Sequence, residues 1–343
     1  MTIMLLTCKT DYEKILAREI ALYNIKLQTK GHGWVLTQDT GKTASKDHDT
    51  PITDPCFAYH ILENPIKLTG TSVNDFTEKL INLFTENIGQ SRITDSWARS
   101  FLSSGDEQLI KRTKTIEKNW LNKMQKKMSR VTKLSKEGIP HHSNFADGFF
   151  VHFTDFNQAF VSFRALSAGQ QRMQMDPQAP SRSYLKIEEA FRIFGKEPGN
   201  QETVIDLGAA PGGWSYSALK RGAIVTAIDN GPLKDPVKSH KNICHLKIDA
   251  LKYKYDGSKP ADWLLCDILD KPEVIFILLN KWISQKWCRS FIVNIKVGRN
   301  DPILLLEKIR DSKNGILPFC KHLYIRQLYH DREEITLMGQ TKV

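Results

Sequence analysis

The segment Thr203-Val-Ile-Asp-Leu-Gly-Ala-Ala-Pro-Gly-Gly213-Trp214 could do chemistry by holding a nucleotide-like molecule. An apolar run of buried-strand type ends in a glycine-rich turn and opens into a helix. Gly208, Gly212 and Gly213 let the backbone adopt turn dihedrals and approach a ligand closely. The edge beyond the first strand is where doubly wound sheets bind such ligands. Asp229, 21 residues after Gly208, ends the next apolar run and suits the two hydroxyls of an adenosine ribose. The spacing is G-x-x-P-G-G, not G-x-G-x-x-G, and the helix starts at Trp214. That argues against a dinucleotide, whose pyrophosphate wants a helix N-terminus, and for the cationic sulfonium of S-adenosyl-L-methionine. Plain turn glycines are the alternative.

Other chemistries find less support. Cys8, Cys56, Cys244, Cys266, Cys288 and Cys320 are scattered, with no C-x-x-C pair, so reduced thiols in a cytoplasmic protein are expected. No His/Cys/Asp cluster has metal-ligand spacing, and no metal is expected. The chain of 343 residues, 41% hydrophobic and 25% charged, is of globular type and long enough for about two domains. Its apolar runs fall short of the ~20 residues of a membrane span, and residues 1–7 do not read as a secretory signal. The formal charge is +11. Much of it lies in residues 111–136, which hold ten basic residues against the single acid Glu117. Leu109, Thr113, Ile116, Trp120, Met124, Val131 and Leu134 recur there at helical spacing, so an amphipathic helix, broken or whole, presents a basic face. Such a face attracts phosphate backbones; a merely solvated surface or a membrane-surface helix are the alternatives.

The elements that would position these residues follow from periodicity. Residues 3–7, 11–23 and 33–37 read as strand, helix, strand, and residues 38–53 as a polar loop. Strands at 60–62 and 66–68 precede a helix at 73–84. Two alternating runs, 149–154 and 159–163, form a hairpin around Asp155-Phe-Asn157. The polar stretch 167–182, with Pro177 and Pro180, reads as an inter-domain connection. From there strands and helices alternate: a helix at 184–194, strands at 203–207, 224–229, 245–248, 263–266 and 291–296, and helices at 214–221, 273–286 and 302–312. The last two strands, 323–327 and 334–338, have no helix between them and are expected to form an antiparallel hairpin. The C-terminal half is therefore expected to be α/β, a Rossmann-like sheet of seven mostly parallel strands, and the N-terminal half α+β.

Asp206-Leu-Gly-Ala-Ala-Pro-Gly-Gly-Trp-Ser215 resembles the cofactor loop of the FtsJ/RrmJ-type ribose 2′-O-methyltransferases. Ala179-Pro-Ser-Arg-Ser-Tyr-Leu-Lys-Ile-Glu-Glu-Ala-Phe191, Asp229-Asn-Gly-Pro232 and Gln327-Leu-Tyr-His-Asp-Arg-Glu-Glu-Ile-Thr336 narrow the resemblance to the RlmM type, which methylates a cytidine of 23S rRNA. The resemblance runs from about 179 to 336. It implies a ferredoxin-like domain at 1–58, a THUMP-like RNA-binding domain at 59–166, a linker at 167–182 and an S-adenosylmethionine-dependent methyltransferase domain at 183–343. It further implies 23S rRNA or a large-subunit assembly intermediate as partner, a monomer, and no membrane. Cofactor contacts would come from Ser183, Ala210, Pro211, Gly212, Gly213, Asp229, Asp249 and Asp267. An RNA-binding assembly factor with an inactive methyltransferase fold, a 2′-O-methyltransferase of another RNA and a dinucleotide oxidoreductase are the rival readings.

The resemblance also implies a catalytic Lys-Asp-Lys-Glu tetrad, matched one residue at a time by Lys186, Asp267, Lys296 and Glu334. A ribose 2′-hydroxyl must lose its proton as it attacks a sulfonium methyl. A lysine can accept that proton only when neutral, so its pKa must fall from ~10.4. A second ammonium and burial both push that way. Lys296 is assigned as the base and Lys186 as the second cation, with Asp267 and Glu334 orienting them. Asp206 is expected to support the loop, and His330 to make a rigidifying hydrogen bond beside Glu334 rather than do chemistry. Trp214 could equally be a core residue.

Overall fold

The computed structural model describes residues 2–39, 55–89, 92–105, 107–141 and 144–342. Most of the loop expected at 38–53 lies outside the described residues. The chain forms two compact units, Met1–Gly169 and Gln170–Val343.

The first unit is built on one nine-stranded sheet. Its strands are β1 (Met4–Cys8), β2 (Leu27–Gly31), β3 (Trp34–Thr37), β4 (Ala58–Glu63), β5 (Ile66–Thr69), β6 (Trp97–Ser103), β7 (Ser135–Glu137), β8 (Ala146–Asp155) and β9 (Gln158–Ser167). Their order is β2-β3-β1-β4-β9-β8-β6-β7, with β5 also paired to β9. The expected hairpin forms as β8 and β9. Strands β2, β6 and β7 have no counterpart in the sequence reading. The sequence of β2, Leu-Gln-Thr-Lys-Gly, is polar because it is an exposed edge strand. The antiparallel pair β1–β4 and the pair β4–β9 join the region before residue 58 to the region after it within this one sheet.

Helix α1 (Glu13–Ala21) carries the buried Glu19, whose carboxylate accepts from Cys56 N at 2.7 Å and Phe57 N at 3.0 Å. Helix α2 (Val73–Ile88) is capped by Ser72, which accepts from Asp75 N. The basic segment forms α3 (Glu107–Lys127) and α4 (Ser129–Lys133), a broken helix. Leu109, Thr113, Ile116, Trp120 and Met124 are its buried stripe, as the spacing predicts. Trp120 stacks on Phe149 of β8 at 5.3 Å and meets Phe84 of α2 edge-on at 5.4 Å. Such aromatic pairs add about 1 kcal/mol each beyond the area they bury.

The second unit carries α5 (Tyr184–Phe194), β10 (Thr203–Leu207), α6 (Gly213–Lys220), β11 (Ile224–Ile228), β12 (Ile243–Leu246), β13 (Ala261–Cys266), α7 (Pro272–Ser284), β14 (Cys288–Lys296), α8 (Pro302–Arg310), β15 (Cys320–Arg326) and β16 (Glu334–Thr341). Each strand overlaps its expected position, with ends shifted by a few residues. The order is β12-β11-β10-β13-β14-β16-β15. The first five run parallel; β16 is antiparallel to both β14 and β15. The last hairpin therefore folds back so that its second strand inserts beside β14. Proline at the first helical position starts α7 and α8, and Asp301 caps α8 by accepting from Ile303 N at 2.9 Å. Residues 170–182 lack regular secondary structure but belong to this unit, where Gln171 N bonds Glu189 and Asp176 bonds Tyr216 and Lys220. Among the described residues no helix is long and apolar enough to cross a membrane.

Candidate active site

Register creates the site. In the β14–β16 ladder Lys296 stands opposite Glu334, and Asn294 opposite Thr336. Side chains two apart in a strand share a face, so all four look to one side of the sheet. Parallel pairing of β13 with β14 sets Cys266 against Val293, which brings Asp267, the next residue, beside Asn294. Lys186, two residues into α5, reaches the same place: its amine bonds Glu334 Oε2. Lys296 Nζ lies 3.4 Å from Glu334 Oε1. Glu334 thus holds both lysines, one on each oxygen, and the four expected tetrad residues converge. Neighbouring Glu333 is exposed, and only its backbone is engaged, accepting from Val297 N.

The electrostatics are crowded. Lys186 is largely buried, which pushes its pKa down, yet Asp267, Asp331 and Glu334 together hold it above the ordinary lysine value. Burial pushes Glu334 up, but the bonds to Lys186 and Asn294 and the charge of Lys296 leave it below the usual carboxylate range. For Asp267 burial wins over Lys186 and Asn294, and its pKa is raised. Asp331, fully buried, is raised well above the usual value by desolvation, with Lys186 opposing at 4.0 Å. Two residues the sequence reading passed over complete the network. Asn294 joins Asp267 and Glu334, and Asp331 Oδ2 accepts from Leu328 N and Thr336 Oγ1 at 3.0 and 3.1 Å. Asn294 could have been found by its position two residues before Lys296 on the same strand. Asp331, in a turn beside His330, carries no spacing that marks it.

Beside this cluster lies the glycine-rich turn. Gly208 and Gly212 have φ of 77° and 114°, in the left-handed region. A Cβ on Gly213 would stand 2.3 Å from Ser183 Oγ, 2.4 Å from Ser181 Oγ and 3.2 Å from Tyr184 N, so any larger residue where α6 begins would have to push both serine hydroxyls aside. Ser181, Ser183, Gly208, Ala209, Ala210, Pro211, Trp214 and Asp267 line a cleft of about 180 Å³. Asp267 therefore belongs to both the cleft and the charged cluster. Asp229, one residue past β11, accepts from Ala210 N at 3.0 Å and Gly231 N at 2.7 Å. Those bonds shape the loop and leave lone pairs on its oxygens for a ligand. Asp249 stands three residues past the end of β12, where it accepts from Leu251 N at 2.9 Å and lies 3.7 Å from Lys252 Nζ. Asp206 is buried behind the turn, accepts from Ser215 Oγ at 2.6 Å, and is pushed up to about 7 by desolvation. Trp214 is a core residue whose indole donates to Ser183 O at 3.1 Å. His330 Nε2 accepts from Met173 N at 2.8 Å, a structural bond, and no bond joins its ring to Glu334. Its pKa is lowered by burial and by Arg182 and Arg172.

Residues 179–287 match the family of FtsJ-like methyltransferases. The chain is also similar to proteins named Ribosomal RNA large subunit methyltransferase M. It is 39% identical over 176 residues to that of Halorhodospira halophila, covering 50% of each chain. It is 38% identical over 176 residues to that of Laribacter hongkongensis, covering 48% of this chain and 49% of the relative. The protein of Psychromonas ingrahamii is 34% identical over 204 residues, 54% of each. The matches span about half the length of these curated relatives. A fibrillarin/Nop5p complex is among the solved structures it resembles, at 17% identity over 52% of this chain and 93% of that one, with a TM-score of 0.37, too distant to carry an argument. The stretch that matches the FtsJ-like methyltransferases, residues 179–287, lies within the seven-stranded unit of this protein.

Proposed function

We propose that this protein is an S-adenosylmethionine-dependent rRNA methyltransferase that modifies a ribose 2′-hydroxyl of a cytidine in large-subunit (23S) rRNA. The observation that carries the reading is the meeting of Lys186 and Lys296 on Glu334, with Asp267 reaching from the same cluster to the glycine-rich cleft. The similarity to the large-subunit methyltransferases M supports the substrate class.

The cleft residues fit the cofactor. The positive-φ glycines and Gly213, where a Cβ would displace the Ser181 and Ser183 hydroxyls, form a cradle for close backbone approach. Asp229 would take the ribose hydroxyls, with Ser183, Ala210, Pro211, Gly212, Gly213, Asp249 and Asp267 around the rest. When bound, S-adenosylmethionine supplies an electrophilic methyl on a sulfonium. Lys296 accepts the proton of the attacking 2′-hydroxyl. Lys186, held as an ammonium by its acidic neighbours, stabilises the developing negative oxygen. Glu334 fixes both amines, and Asp267 holds the cofactor side. The methyl that bound S-adenosylmethionine would supply is made electrophilic by its own sulfonium, so this chemistry would require no metal.

The N-terminal unit, read as ferredoxin-like followed by THUMP-like, would grip RNA through the exposed basic face of α3 and α4. Phosphate contacts of this kind position the RNA without specifying its sequence. We propose a monomer acting in the cytoplasm on 23S rRNA or an assembly intermediate. The test is ribose-methylation mapping across rRNA in cells with and without the gene, joined to tritiated-methyl transfer in vitro. One 2′-O-methyl site vanishing from large-subunit rRNA supports the reading. An unchanged map and no transfer favour the inactive assembly factor, and calorimetry with S-adenosylmethionine against NAD separates the dinucleotide rival.

A further inference from the structure

We infer that Asn294 is a positioning residue that ties the two carboxylates of the charged cluster together and presents them to the lysines. The inference rests on the ribose-methylation reading above. Asn294 is wholly buried at the centre of the sheet. Its Nδ2 donates to Asp267 Oδ1 at 3.0 Å and to Glu334 Oε2 at 3.1 Å. An amide nitrogen has two hydrogens, and here each has a carboxylate acceptor. The side chain can sit only one way round, because ionised carboxylates cannot donate. Its oxygen faces Thr336 Oγ1 at 3.5 Å, and that hydroxyl also lies 3.1 Å from Asp331 Oδ2.

The residue type is what the problem needs. Two carboxylates that share a buried site repel, and one tends to keep its proton. A protonated Glu334 or Asp267 would no longer balance two ammonium groups. A lysine between them would add a third amine; a valine would take the Asn294 donor from both acids and leave Glu334 only its lysines. Asparagine supplies two donors and no charge. It also shares its strand face with Lys296, two residues on, so the amide that aligns the acids is fixed to the backbone that carries the base. The charged groups of the cluster are Lys186 from α5, Asp267 after β13, Lys296 from β14, Asp331 three residues before β16 and Glu334 at its start, with Glu189 of α5 acting on Asp331 and Asp206 of β10 on Asp267.

Two substitutions test the inference. Asn294→Ala removes the donors and adds no charge: kcat should fall about tenfold with the KM for RNA within about twofold. Asn294→Asp adds a fourth acid to Asp267, Asp331 and Glu334, which holds the lysines charged. The alkaline rise of its kcat profile should move up by about one pH unit, so activity missing at neutral pH returns as pH rises. Calorimetric S-adenosylmethionine binding near the parent value shows that each variant is folded; should one fail this, the other decides. Carboxylate titration by NMR reads the inference without turnover: in Asn294→Ala the acids at 267 and 334 must titrate higher than in the parent. Unchanged kcat profiles, or unchanged titrations, overturn it. A parent protein that transfers no methyl to RNA defeats the ribose-methylation reading instead, and the titrations then decide the role of Asn294 alone.

Discussion

Both units hide an ion pair, and the two teach different things. In the N-terminal unit Arg99 on β6 bonds Glu117 on α3, and its Nε reaches Ser135 Oγ at 3.2 Å. One cation meets one anion, and guanidinium keeps its proton at any working pH. Such a pair ties a helix to a sheet and can do little else. In the C-terminal unit two amines share one carboxylate, and two further acids crowd them. Amines can lose a proton, and a cluster whose members oppose one another responds to small changes in charge. The charged residues are of similar kinds; the difference lies in their stoichiometry and in the choice of lysine over arginine.

The sharpest way to break this contrast is to exchange the amines. Lys296→Ala should lower methyl transfer about 10³-fold while S-adenosylmethionine binding stays near normal, read by tritiated transfer and calorimetry. Full activity in that variant removes the assignment of the base. Glu334→Gln keeps the shape and removes the shared charge; transfer should fall about 10²-fold. The mirror experiment in the other unit is Glu117→Gln, which leaves Arg99 without its counter-charge. It should cost about 2 kcal/mol of stability in denaturant unfolding and leave kcat unchanged. A kcat that fell together with stability would erase the distinction between the two pairs.

Two smaller effects sharpen it. Asp206 is held near 7, above its unfolded value, so the folded unit prefers its neutral form. Its stabilising share is complete below pH ~4 and is lost as pH rises through about 7. Asp206→Asn should therefore flatten the decline of stability across that window, measured by unfolding at several pH values. Charge reversal of exposed Lys126 and Lys133 on the basic helices should lower the salt dependence of RNA binding by about one unit of slope for each phosphate no longer neutralised. Unaltered slopes would return that face to a merely solvated surface.

The C-terminal unit was readable because its strands are apolar runs separated by helices of clear period, and because β10 ends in a turn that glycine chemistry marks. The N-terminal unit was harder. The sequence of β6, Trp-Ala-Arg-Ser-Phe-Leu-Ser, does not alternate cleanly, and its Arg99 is buried only because Glu117 comes to meet it. Edge strand β2 carries too few apolar residues to announce itself. The polar stretch after residue 167 lacks any period, and it took bonds to Glu189, Tyr216 and Lys220 to join it to the C-terminal unit.

Within the site, Lys186, Asp267, Lys296 and Glu334 were nameable from motifs; Asn294 carried only its place two residues before Lys296 on one strand, and nothing local distinguishes Asp331. Backbone sterics act over a few residues, so sequence alone determined the glycine turn, the buried stripe of α3 and the succession of strands. Which strand lies beside which is settled by burial across the whole unit. Only the tertiary structure, by inserting β16 against β14 in one particular register, set Glu334 opposite Lys296 and closed the charged cluster around it. A slip of one residue would have turned both side chains to the other face.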